Sequence, residues 1–146
     1  MTTTNSRDDY HAWLLESAAL IRAGQFDALD ATKIAEELED MGASTARELE
    51  NRLGVLLAHL LKWRYQPERR GASWEATIKE QRQRILRLLR KNPSLKANLE
   101  ETCTDAYGDA RFIARRETEL PENVFPQLNP FSWQQTVEDF WPENNV

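Results

Sequence analysis

Leu49-Glu50-Asn51-Arg52-Leu53-Gly54-Val55-Leu56-Leu57-Ala58-His59-Leu60-Leu61-Lys62-Trp63 repeats large apolar side chains at intervals of three and four. Leu49, Leu53, Leu56, Leu57, Leu60 and Trp63 share one side of a helix with 3.6 residues per turn. From Leu53 to Leu61 apolar residues extend nearly all the way round it. Such a helix must be contacted from several sides, so it is expected at the centre of a helical bundle. Ser44 starts it and Pro67 and Gly71 break it, which predicts a helix over residues 45–65. Its apolar run is shorter than the ~20 residues that cross a bilayer, so no membrane partner is expected.

Working outward, Ser6 is expected to cap a helix over 7–23 that buries Tyr10, Trp13, Leu14, Ser17 and Ile21 and stops at Gly24. Asp30 caps a second over 31–41, with Ile34, Leu38 and Met41 turned inward, acidic Glu36, Glu39 and Asp40 outward, and Gly42 as its stop. On the other side, Ser73 caps a helix over 74–91 with Trp74, Ile78, Ile85, Leu88 and Leu89 on one face. Lys79, Arg84, Arg87, Arg90 and Lys91 lie on its other face, and Asn92-Pro93 ends it. Ser94 caps a helix over 95–118 whose core face, Leu99, Cys103, Ala106, Ala110 and Ile113, is small enough for close helix approach.

Residues 120–146 hold four of the six prolines, together with Phe125, Phe131, Trp133, Phe140 and Trp141. A short helix from Trp133 to Asp139 is predicted there. Five large aromatics are not left in water, so this arm is expected to lie in a groove of its own bundle, the alternative being a neighbouring subunit. The predicted fold is all-α: a single-domain helical bundle, 1–146, of about five helices, up-and-down in its main part, with a proline-rich aromatic C-terminal arm. At 40% hydrophobic and 29% charged residues, 146 residues suffice for one core without a cofactor.

The single cysteine, Cys103, excludes an intrachain disulfide and multi-cysteine zinc frameworks, which favours a reducing cytoplasm. Met1 to Tyr10 is polar and acidic, unlike a secretory signal. The net charge of -5 is segregated: residues 62–91 hold ten Lys and Arg against three Glu, between flanks that are each net acidic. A basic middle between acidic flanks suits docking to an acidic protein or to a second copy of the chain. Nucleic acid is the second reading, through Arg69, Arg70, Lys79, Arg84, Arg87 and Arg90 on phosphates, with Trp63 and Tyr65 able to stack bases.

A third reading is catalytic. If the helices over 31–41 and 45–65 pack as antiparallel neighbours, Glu37, Arg52 and His59 meet, and an imidazole beside a carboxylate can act as a general base. The same three residues can equally hold helix register without chemistry. Glu-x-x-His pairs, His-Glu-x-x-His, phosphate-binding glycine loops and nucleophile elbows do not occur, so no metal site is expected. Cys103, among alanine and leucine, is expected to pack rather than react.

Five segments, Glu36-Glu37-Leu38-Glu39-Asp40-Met41-Gly42, His59-Leu60-Leu61-Lys62-Trp63, Ser73-Trp74, Pro93-Ser94-Leu95 and Asp139-Phe140-Trp141-Pro142-Glu143, are jointly distinctive. In order and spacing the chain resembles, from about Tyr10 to Glu143, the bacterial family catalogued as domain of unknown function 29. The resemblance implies a bacterial helical domain and carries no activity, substrate or cofactor with it. With no catalytic motif and a segregated charge, a non-catalytic protein-interaction or regulatory module is the leading expectation.

Overall fold

The computed structural model describes residues 5–143, and among them the regular elements are all helical. Five α-helices are present: α1 (Tyr10–Arg22), α2 (Ala31–Tyr65), α3 (Ala72–Lys91), α4 (Leu99–Thr118) and α5 (Trp133–Val137), with short 3-10 turns between them. The chain divides into two compact units, Met1–Gly42 and Ala43–Val146.

The predicted helices over 31–41 and 45–65 are one rod, α2, because Gly42 does not stop it. A glycine ends a helix when it turns to positive φ, as Gly24 does after α1 at +73°. Gly42 keeps helical geometry, no proline follows, and Ala43, Ala46, Arg47, Glu48 and Leu49 are good helix formers. A Cβ at Gly42 would meet nothing within 4 Å. Gly42→Ala is therefore expected to stabilise the chain by about 0.5–1 kcal/mol in chemical denaturation. A loss of stability would mean that Gly42 needs a conformation closed to alanine.

The first unit is a hairpin of α1 and the start of α2. Asp9, not Ser6, caps α1 by accepting from the Ala12 amide at 3.0 Å, so the helix starts at Tyr10. Asp30 caps α2 as expected, accepting from the Lys33 amide at 3.1 Å. The Tyr10 hydroxyl donates to Glu37 Oε2 across the hairpin. The predicted inward faces are apolar stripes as read, but they are largely bare. Trp13 and Ser17 are buried, whereas Leu14, Ile21, Leu38 and Met41 are exposed.

The second unit carries the core. Leu53, Leu56, Leu57, Ala58, Leu60 and Leu61 are completely buried, so the second half of α2 is the central rod that its all-round apolarity requires. Ile78, Ile85 and Leu89 of α3 pack into this cluster, and so do Ala106, Tyr107, Ala110 and Ala114 of α4. α2 and α4 pack closely at Gly54, where a Cβ would make an ordinary contact 3.7 Å from the Ala106 carbonyl oxygen. α3 begins two residues earlier than predicted, at Ala72, after Gly71 and without a side-chain cap. A 3-10 turn over Pro93–Asn98 takes the place of the first turn predicted for α4.

The C-terminal arm packs on its own unit. Phe125, Phe131, Val137 and Pro142 are buried, and Trp133, Phe140 and Trp141 lie against the core. Tyr65 meets Phe125 edge-on at 5.7 Å, and Trp63 meets Trp141 at 4.6 Å between ring centroids. Ser132 and Gln135 form a reciprocal capping box that starts α5.

Candidate functional site

Glu37, Arg52 and His59 do not converge. All three belong to α2, where Glu37 and His59 are about six turns apart, so the antiparallel packing that would join them does not exist. Glu37 accepts from Tyr10, while Arg52 pairs with Glu48 at 3.2 Å and donates to Gln81 at 3.3 Å. His59 Nδ1 lies 2.8 Å from the Val55 carbonyl oxygen one turn back, which places the proton of the neutral ring on Nδ1. Beside Arg52 lies an open polar groove of ≈ 610 Å³ that His59 does not line. Among the described residues no group of three His, Cys, Asp or Glu is placed to hold a metal ion. The catalytic triad proposed from sequence has no shared site.

Burial lowers the pKa of His59 below its ordinary 6.5, with the Lys62 charge acting the same way and the Val55 and Glu117 contacts opposing it. The unfolded chain therefore takes up a proton first as pH falls. The contribution of His59 to stability is complete above pH 6.5 and is lost as pH drops through the depressed folded value. The wild type is expected to lose unfolding free energy more steeply than His59→Gln between about pH 7.5 and 5. Parallel pH profiles for the two chains would contradict this.

The basic stretch divides into three groups. Lys79 pairs with Glu75 and Arg84 with Glu80, each at 2.8 Å and one helical turn apart. Arg70 and Arg82 turn inward. Arg82, 6% exposed, donates to the carbonyl oxygens of Thr136 at 2.9 Å, Gln135 at 3.0 Å and Phe140 at 2.6 Å. Arg70 donates to the Trp63 carbonyl at 2.5 Å and to the Pro142 carbonyl at 3.3 Å. Arg69, Arg87 and Arg90 remain exposed on the surface.

The inward arginines follow from the chemistry of the arm. Proline contributes a carbonyl but no N–H, and an irregular strap has no ladder to satisfy its acceptors. The body supplies donors instead: Arg82 and Arg70, Arg111 Nη2 to the Phe125 carbonyl at 3.3 Å, and the Tyr107 hydroxyl to the Pro126 carbonyl. Burial pushes the Tyr107 phenol up to about 12, which keeps it a donor. Arg82 serves two carbonyls at the end of α5, where the unpaired acceptors and the helix dipole favour a cation. Trp63, the candidate stacking platform, is occupied by Trp141 and by the Arg70 guanidinium 5.3 Å from its ring.

Two buried cations escaped the reading of candidate sites. Arg82 falls in the stripe Ile78, Arg82, Ile85, Leu89, and a charge inside an apolar stripe was the available signal. Lys62 sits on the all-round apolar part of α2; it bonds Glu117 of α4 at 2.6 Å and lies 4.8 Å from the ring centroid of Trp74 of α3. It thereby links three helices. Cys103 is half-buried and free, and burial raises its thiol pKa, away from the thiolate that nucleophilic chemistry requires.

What is left as a candidate site is the exposed apolar surface of the hairpin. Leu14 and Ile21 lie within about 20° of one another around α1, and Leu38 and Met41 within about 60° on α2. Phe26, at the turn between them, is 64% exposed, Leu38 63% and Met41 67%. Residues 1–42 carry nine Asp and Glu against three Lys and Arg, so this apolar surface is set in an acidic unit.

These features define a class: an all-α protein with a leucine-packed central helix, an arginine-held proline arm and an acidic apolar hairpin. The chain belongs to the family described as Domain of unknown function DUF29, whose model matches residues 7–141. No curated protein and no solved structure matches it. No helix among the described residues is long and apolar enough to cross a membrane.

Proposed function

We propose that this chain is a non-catalytic protein-interaction module of a bacterial cytoplasm, and that its N-terminal hairpin is the docking element. One observation carries this reading: α1, the turn and the start of α2 leave Leu14, Leu15, Ile21, Phe26, Leu38 and Met41 exposed while burying only Trp13 among their large apolar side chains. Soluble monomers rarely present apolar side chains at this density, and such surfaces mark interaction sites. The occupant should be a helical face of basic and apolar character, because residues 1–42 carry nine Asp and Glu against three Lys and Arg around these apolar side chains. The free Cys103 thiol suits a reducing compartment.

Site-specific photo-crosslinking in bacterial cells tests this. A photoreactive side chain at Leu38 is expected to yield discrete higher-mass protein adducts, whereas one at Glu68, exposed on the other unit, is not. Absence of adducts from Leu38 would remove the reading.

A further inference from the structure

We infer that the occupant of the hairpin is a second copy of this chain, which presents the exposed face of its α3. This rests on the docking role proposed above and names the partner. α3 has the complementary chemistry. Leu86 is exposed on it, with Lys79 and Arg90 within about 40° around the helix and Arg87, also exposed, about 100° away. Among the described residues neither Arg87 nor Arg90 makes an ion pair, in contrast to Arg84 and Lys79. An apolar side chain in a basic border thus faces outward on one element, and apolar side chains in an acidic border face outward on another.

Charge decides between like and unlike pairing. Hairpin against hairpin would bring two units of nine Asp and Glu and three Lys and Arg together, and like charges across an interface oppose association. Hairpin against α3 instead sets the net acidic hairpin against the exposed cations Arg87 and Arg90. Because the two surfaces are unlike, the contact is head-to-tail; it closes as a dimer when reciprocal and grows when it is not.

The full chain is examined by sedimentation and light scattering at about 50 mM and about 500 mM salt, with circular dichroism as a check on folding. Two variants each break one surface: Leu14→Glu with Leu38→Glu on the hairpin, and Arg87→Glu with Arg90→Glu on α3. The wild type is expected to associate at low salt and to weaken at high salt. Each variant alone is expected to bind itself at least about tenfold more weakly. Mixed, they should form a 1:1 pair that grows no further, since each retains the surface the other lacks. If the α3 variant associates as the wild type does while the hairpin variant does not, like surfaces pair and the inference is overturned, with the docking role of the hairpin intact. A wild type that stays monomeric at about 100 μM in low salt also overturns it, and photo-crosslinks from Leu38 to a different protein would then uphold the docking role alone. Should the double hairpin variant fail to fold, Leu38→Ser replaces it in the same mixing experiment.

Discussion

Arg82→Ala is expected to lower stability by roughly 3–5 kcal/mol, since it removes three hydrogen bonds from a charged donor, each worth about 1.5–3 kcal/mol and partly regained by water. Its guanidinium is the common donor for the carbonyls of Gln135, Thr136 and Phe140, and it also lies 5.5 Å from the Trp141 ring. Without it these acceptors have no ladder to join, and the arm must open to water. A melting temperature lower by about 10–20 °C is anticipated, together with loss of amide protection over residues 133–142. Arg82→Lys should recover less than half of the loss, because an ammonium cannot span three carbonyls as a planar guanidinium does. Arg84→Ala, which breaks only the exposed pair with Glu80, should cost about 0.5 kcal/mol or less. If Arg82→Ala moved the melting temperature by less than about 3 °C and left the arm protected, the arm would be held by its aromatic contacts and its other donors, Arg70, Tyr107 and Arg111.

The second large effect contrasts two leucines of one helix. Leu57→Ala is expected to cost about 2–5 kcal/mol, because Leu57 is completely buried and its removal leaves a cavity. Leu38→Ala, in the same helix and on an equally regular apolar stripe, should change stability by about 0.5 kcal/mol or less. Denaturant unfolding measures both. Comparable losses at the two sites would show that the stripe of Ile34, Leu38 and Met41 is covered within the chain.

That contrast marks where the sequence was legible. From Leu53 to Leu61 apolar side chains extend nearly all the way round, so only a central position satisfies them, and the structure puts them there. The stripe of Leu38 and Met41 is one-sided; its period identifies a face, but whether that face is covered depends on what lies opposite. Gly42 was misread for a related reason. A glycine is compatible with both a stop and a continuing helix, and the strong helix formers after it decided for continuation. The Glu37, Arg52 and His59 cluster rested on that stop and fell with it.

The inward arginines show the same limit from the polar side. Net charge along 62–91 counted Arg70 and Arg82 together with Arg87 and Arg90, although the first two hold the arm and the last two face outward. Chain composition registers a cation and not the direction in which it points.

Helical content, the apolar side of each rod and the need of a proline-rich arm for donors were determined by the sequence alone, because backbone geometry and missing N–H groups act over a few residues. The donors that reach the arm and the faces left exposed were decided only by the tertiary structure. Burial depends on atoms brought together from distant parts of the chain, and no local period encodes which partner arrives.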